Sequence, residues 1–474
     1  MNISTQPLHS TLASLAAGQV RAATEADAVM GVRPQVVVEP ETEEDVAALL
    51  RFADARGLAV LPRGGGTHMA TGGIPRAGDI VLSLARLDAI VEHTPADQTI
   101  TVQAGLRLAD LQAALARVGQ ELALDPPVAP TATAGGLIAT NVSGPRRLRF
   151  GGVRDQLLGV RVVLPDGTIA KGGGKVVKNV AGYDLAKLYT GALGTLGVIV
   201  AASFRLYPLA AASRTVVVEA ASPAPLCALV LRILASTLVP SALDVTGTTA
   251  ATVAHTLAVR FESGVAEAVD EQVAAVLGMA SGNEFSGRTG LHRAVLQDDD
   301  EARFWHDSQN LALTTAIVGA SGGRPPAAPD IVGALPAAPA ADGANSVGAS
   351  GGCPPAACTL KASLLPSEIT GWLSTLASSA TAAQVRADWA AHAGHGLVMV
   401  RLAGSLDALA DIIPHLREAA QRRRGTLVVT EASPALASRV DVWGPIPALE
   451  VMRRLKRQFD PHDTLNPGRF AGGL

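Results

Sequence analysis

Two glycine-rich loops, Arg63-Gly64-Gly65-Gly66-Thr67 and Thr133-Ala134-Gly135-Gly136, constrain this chain more than any other feature. The first follows the β-type run Ala59–Leu61 and Pro62, and the second opens the helix-like Leu137–Asn141. Consecutive glycines leave backbone N–H groups uncovered, and a nest of such groups binds a diphosphate. A helix N-terminus adds the positive end of a dipole, and Arg63 is expected to add a bidentate contact. Taken alone, the first loop reads more readily as a plain glycine-rich turn, and the second reads equally as a helix entry with packing glycines. A pair separated by a βαβ-type unit says more than either. A third repeat, Gly191-Ala-Leu-Gly194-Thr195-Leu-Gly197, lets the chain pass close to a flat ring system.

Around the loops the pattern alternates short strands and helices. Thr42 is expected to cap a helix running to Arg56, with Asp45 completing a variant capping box and Gly57 as the stop. Strands are expected at Val36–Val38, Ile80–Ser83, Ala89–Val91 and Thr99–Gln103, and a helix at Leu108–Val118. A second segment begins at Asp125-Pro126-Pro127. It carries strands Val160–Leu164 and Thr168–Lys171, a stretch Val176–Leu188, and strand Val198–Phe204. From Arg214 to Thr430 two runs of strand, helix, strand, strand, helix, strand follow one another, which predicts an antiparallel sheet covered by helices. Between the runs Ala320–Ala357 is almost entirely Gly, Ala, Pro, Ser and Asp, the composition of a disordered insertion. The expected fold class is α+β, with units at 1–30 (an N-terminal extension), 31–209, 210–440 and 441–474.

Composition removes several classes of function. Of 474 residues, 48% are hydrophobic and 17% charged, so the chain is globular. Aromatics at 3% are too scarce for single-strand stacking platforms, and 39 basic against 42 acidic residues leave no footprint for duplex nucleic acid. Three cysteines cannot hold an iron–sulfur cluster or a disulfide framework, which suits a reducing cytosol. The first thirty residues lack a signal-peptide pattern, and the apolar run Leu226–Val239, broken by Arg232, is too short to span a membrane. No G-x-G-x-x-G follows a strand, and Gly174-Lys175 is followed by Val176 where a P-loop needs Ser or Thr. The Gly-x-Ser-x-Gly matches at 319–323 and 348–352 run into low-complexity sequence, and Cys353 and Cys358 read as solvated thiols.

At these loops the sequence resembles the PCMH-type FAD-binding domain shared by vanillyl-alcohol oxidase, D-lactate dehydrogenase and glycolate oxidase. The resemblance covers about Val36 to Pro208 in consistent order and implies a two-part FAD domain with an α+β cap. It assigns FAD contacts to Pro62, Arg63, Gly64, Gly65, Gly66 and Thr67 in the first loop. Thr133, Ala134, Gly135, Gly136, Ala139, Asn141 and Gly144 form the second group. Lys178 and Tyr183, then Gly194, Thr195, Gly197, Val198 and Ile199, form the third, and Asn466 joins from a C-terminal segment that returns to the FAD domain. Relatives with covalent flavin carry histidine directly after the glycines. Thr67 holds that place and His68 comes one residue late, which implies non-covalent FAD.

The phrase Gly173–Leu185 is similar to the E subunits of bacterial glycolate oxidases. That resemblance implies oxidation of glycolate to glyoxylate beside a sister FAD subunit, with electrons leaving through an iron–sulfur subunit. The location implied is cytoplasmic, with peripheral attachment to the inner membrane through the complex as an option. Catalytic members carry His-x-Gly-Asp-Gly-Asn-x-His and Glu-His-Gly-Ile-Gly, whose imidazoles and carboxylates hold a divalent metal. Here the stretches read His392-Ala-Gly-His395-Gly-Leu397-Val-Met399 and Glu431-Ala-Ser-Pro. One imidazole at His392 is no metal site, so no metal is expected, His392 reads as structural, and the general base is unassigned. The alternatives are a self-sufficient dehydrogenase for another 2-hydroxy acid or sugar acid, and a flavin-free structural subunit.

Overall fold

The computed structural model describes residues 8–15, 18–127, 130–175, 183–249, 255–281, 293–310 and 356–474. The chain opens with α1 (Leu8–Leu15), β1 (Gly18–Ala22), β2 (Val36–Pro40), α2 (Glu43–Asp54), β3 (Val60–Arg63) and β4 (Ile80–Ser83). Their sheet has the order β1-β2-β4-β3, with β2, β4 and β3 parallel. Apolar residues on consecutive positions of β2 and β4 fit strands buried on both faces. The capping box forms as expected, Asp45 N donating to Thr42 Oγ1 and Thr42 N to Asp45 Oδ2. Residues 18–22 are a correction to the expected N-terminal extension. β1 pairs antiparallel with β2 and completes this sheet, a partnership its mixed, mostly exposed side chains do not announce.

Next come β5 (Ile90–Thr94), β6 (Thr99–Gln103), α3 (Leu108–Ala116), β7 (Gln120–Glu121) and α4 (Ala134–Thr140). They are followed by α5 (Arg147–Phe150), α6 (Val153–Gln156), β8 (Leu157–Val163), β9 (Ile169–Gly173), α7 (Leu185–Tyr189), β10 (Val198–Arg205) and β11 (Tyr207–Pro208). β5, β6, β10, β8 and β9 form an antiparallel sheet in that order, and β7 pairs with β11. One apolar core runs from Val38 and Ile80 of the first sheet and Leu50 of α2 to Val102, Val160 and Phe204 of the second sheet, so the two parts are one folded unit.

The remaining chain builds a cap from two successive βαββαβ units. The first comprises β12 (Ala212–Ala220), α8 (Pro223–Leu234), β13 (Ala242–Thr248), β14 (His255–Ser263), α9 (Ala266–Met279) and β15 (Arg293–Leu296), with α10 (Asp298–Asn310) appended. The second comprises β16 (Ala356–Ser363), α11 (Ile369–Ala382), β17 (Arg386–His392), β18 (Leu397–Gly404), α12 (Leu406–Arg422) and β19 (Thr426–Ala432). They share one antiparallel sheet of eight strands, in the order β15-β12-β14-β13-β17-β18-β16-β19. Helices α8, α9, α11 and α12 cover one face, with Trp372 fully buried among them. α10 covers part of the other face, where Trp305 packs on Ala242 and Ala258. The uncovered part of that face meets the first folded unit, where Glu431 of β19 stands 3.5 Å from His68.

α13 (Pro434–Ala437) and α14 (Leu449–Phe459) precede a C-terminal segment that returns to the first sheet. There Val60 N donates to Thr464 O and Asn466 N to Val60 O. The expected insertion 320–357 lies outside the described residues except for Ala356 and Ala357, which already belong to β16. The two Gly-x-Ser-x-Gly matches, Cys353 and the core of Val176–Leu188 are also outside them. Cys358 is a correction: it is buried on β16, not solvated, and burial pushes its thiol up to about 12.

Candidate functional site: a glycine-lined cleft under the cap

β3 ends at Arg63 and the chain turns through Gly64, Gly65 and Gly66 over the start of α4. The approach is very close: a Cβ on Gly65 would stand 1.6 Å from Thr131 O, and one on Gly64 2.3 Å from Thr133 Oγ1. Gly66 has φ +76°, a backbone conformation that favours glycine. Among the described residues, the N–H groups of Gly64, Gly65, Gly66 and Thr67 donate to no protein acceptor.

The second loop is built differently from expectation. Ala134 N donates to Leu106 O, Gly135 N to Ala104 O, Gly136 N to Thr133 Oγ1 and Leu137 N to Thr133 O. Its amides are therefore occupied by the protein, and Gly135 serves close packing, since a Cβ there would meet that of Ala104 at 2.7 Å. The free anion-binding amides belong to the first loop, and the second forms the facing wall.

Gly65 and Gly135 line one and the same cleft. Pro62, Arg63, Gly64, Gly66, Thr67, Thr133, Gly136 and Ala139 line it with them. Gly194, Gly197, Val198, Ile199 and Asn466 complete the predicted residues that line it. Ala134 is buried in α4, Thr195 is buried behind the third repeat, and Gly144 packs against Asp125 O; none of these lines the cleft, nor does Asn141, the left-handed cap of α4. Tyr183 is 94% exposed and does not line it, while Lys178 lies outside the described residues.

The Arg63 guanidinium is held 2.9 Å from Asp27. Asp27, 4% exposed, also accepts both Nη atoms of Arg21 at 2.7 Å. The Arg21 hydrogen bonds, with that of Arg63, hold its carboxyl far below the usual range despite burial. A charge expected on a diphosphate is thus already paired. Asp27 lies in the segment read as an extension, which is why the sequence did not offer it.

His68, Met69 and Arg469 also line the cleft. The Arg469 Nη2 donates to Met69 O at 2.8 Å and Thr71 O at 2.6 Å, and burial pushes its guanidinium down to about 10. Arg469 Nε and Asn466 Oδ1 are buried without hydrogen-bond partners among the described residues, two polar atoms on residues that line a cleft already offering a nest of free amides. These donors, with the Asn466 Oδ1 acceptor, fit a dinucleotide with a diphosphate bridge and a hydrogen-bonding ring.

The open face of the cap sheet meets the first unit beside the cleft, with Glu431 of β19 standing 3.5 Å from His68 and His392 within reach of the Asp125 charge. His392 Nδ1 is 2.9 Å from both Asp244 oxygens; burial pulls the imidazole down, but Asp244 outweighs it and its protonated form is favoured. His395 stacks on His392 at 5.5 Å, and burial, with the neighbouring cations, pushes it down to about 3. Asp125, from the segment before α4, is driven up to about 7 by burial. No group of three His, Cys, Asp or Glu among the described residues could hold a metal ion. Lys361 projects from the same face, since Leu360 and Ala362 lie in the cap core. Its ammonium makes no hydrogen bond or ion pair among the described residues, and burial lowers its pKa, with the Arg147 charge adding to the effect.

Comparison with known proteins matches residues 34–173 to the FAD binding domain family and 445–470 to the C-terminal domain family of FAD linked oxidases. D-lactate dehydrogenase of Archaeoglobus fulgidus is 42% identical over 175 residues, 36% of this chain and 39% of that protein. A glycolate oxidase subunit of Bacillus subtilis is 32% identical over 211 residues, 44% of this chain and 45% of its own. The chain thus spans less than half the length of these two relatives. An uncharacterized FAD-linked oxidoreductase of Mycobacterium tuberculosis is 28% identical over 460 residues, 93% of this chain and 91% of the other. Solved alkyldihydroxyacetonephosphate synthase has the same fold, with a TM-score of 0.65 at 16% identity over 92% of this chain and 76% of that one.

Proposed function

We propose that this chain is a PCMH-type FAD-linked oxidase and the FAD-binding subunit of a complex oxidising glycolate, or a close 2-hydroxy acid, to the 2-oxo acid. The observation that carries this is the convergence of Gly64–Thr67, Gly135–Gly136, Gly194–Ile199 and Asn466 on one cleft beneath the cap. In this reading FAD is held non-covalently, its diphosphate against the free amides of the first loop and its ring against Gly194, Gly197 and Asn466. The bound flavin supplies the two-electron redox chemistry. Protein groups bind the acid, exclude water and handle its proton. Lys361, with Arg147 nearby, supplies positive charge for the substrate carboxylate, because each lacks a carboxylate partner among the described residues.

The dismantled metal motif favours substrate oxidation within an assembly, where a sister FAD subunit and an iron–sulfur subunit complete electron transfer. The test begins with the purified chain expressed in flavin-replete cells. A flavin spectrum near one FAD per chain is expected, and its absence would overturn the reading. Dye-linked activity is then compared for glycolate, D-lactate and D-2-hydroxyglutarate, alone and with co-expressed partner subunits. Glycolate turnover that appears only with the partners is the expected result; full turnover by the isolated chain would replace this reading with a self-sufficient dehydrogenase.

A further inference from the structure

The reading of the site leaves one group unassigned, the acceptor of the substrate hydroxyl proton. His392 does not line the cleft, and its Nδ1 is committed to Asp244. His68 has the complementary properties. It lines the cleft in the loop that carries the free amides. Its Nδ1 stands 3.5 Å from the carboxylate of Glu431, which reaches across from β19 of the cap. Both side chains are sheltered, at 14% and 21% exposure. Its Nε2 is buried with no hydrogen-bond partner among the described residues. A buried imidazole nitrogen without a partner is costly unless something else meets it. A histidine with a carboxylate behind one nitrogen and a reacting group before the other is an acid–base arrangement.

We propose that His68 is the general base for the hydroxy acid, with Glu431 as its positioning residue. The proposal rests on the FAD-dependent reading above. The substrate O–H bond breaks and its proton passes to His68 Nε2. The C2–H bond breaks with its electron pair, which leaves as hydride to the bound FAD, and a C=O bond forms. Substrate is oxidised and flavin reduced by two electrons. Glu431 stabilises the imidazolium and keeps Nδ1 protonated, so that Nε2 presents its lone pair. Because the pair bridges the loop and the cap, the base is complete only when both units are assembled.

The test uses the full chain with its partner subunits, as wild type and as His68→Gln, His68→Ala and Glu431→Gln. Acid precipitation of the wild type should release all of its flavin. Flavin that stays attached in the wild type and is released in His68→Ala would assign Nε2 to flavin attachment and overturn the proposal. Both His68 variants should retain FAD and bind the 2-oxo acid product within a few-fold of wild type, read as a perturbation of the flavin spectrum. Anaerobic flavin bleaching by substrate should slow by roughly 10²–10⁴-fold in both, and added imidazole should restore part of the rate in His68→Ala. Glu431→Gln should slow bleaching about tenfold with product binding unchanged, as expected for a group that acts through another. Wild-type rates in His68→Gln would overturn this inference alone; a wild type that binds no flavin would remove the parent reading with it.

Discussion

At the residue scale, the first loop shows what glycine is for. Gly65 has no room for a side chain, and its neighbours are backbone atoms of 131–132 that cannot step aside. Gly65→Ala should therefore open the loop and lower the FAD-to-protein ratio at least tenfold, read from the visible spectrum after gel filtration. Asp125 allows a second test. Its carboxyl is raised to about 7, against about 4 in an unfolded chain, so the native state binds a proton that the unfolded state has lost. Stability from this group is complete below about pH 4 and is lost as pH rises toward 7. Asp125→Asn keeps an acceptor for Arg146 N and should flatten that part of the stability profile, measured by urea unfolding from pH 4 to 8. The glycines were legible in the sequence because their chemistry is local. Asp125, Asp27 and Glu431 were not, since a lone carboxylate acquires its role only from neighbours far along the chain.

At the scale of elements, the C-terminal segment is a brace. Lys456 of α14 is buried and donates to Thr195 O, Leu465 O and Asp460 Oδ2, the last at 2.5 Å. Asp460 in turn accepts from Thr464 N and Leu465 N. Asn466 Nδ2 donates to Leu193 O, and Arg469 grips the loop after His68. One short segment thus fixes β3, the first loop and the third glycine repeat together. Lys456→Met leaves the Asp460 carboxylate buried without its cation, which costs about 3 kcal/mol or more. Thermal unfolding should report that loss, and FAD should dissociate faster although Lys456 does not line the cleft. The helix and the Asn-Pro-Gly-Arg motif are visible in the sequence, but the lysine looks like one more cation on a basic helix.

At the scale of the molecule, two units are joined by one buried arginine. Arg146 donates to Glu121 through both Nη atoms at 2.7 and 2.6 Å, and to Glu262 of the cap through Nε at 3.1 Å. Arg146→Met strands the Glu121 carboxylate, while Glu262 keeps Arg260 at 3.4 Å, and should cost about 3 kcal/mol or more, lowering the melting temperature and uncoupling the two units in unfolding. Because His68 and Glu431 face each other across the same junction, that variant should also lose the base more readily than it loses flavin. The main run of strands and helices from β2 onward, the duplicated cap and the glycine turns followed from sequence alone, because apolar periodicity and backbone freedom act over a few residues; β1 and α10 did not. The free amides confined to the first loop, the pairing of Arg63 with Asp27 and the meeting of His68 with Glu431 were decided only by tertiary structure. These depend on which distant groups are brought within a few ångströms and shielded from water, and no local pattern encodes that.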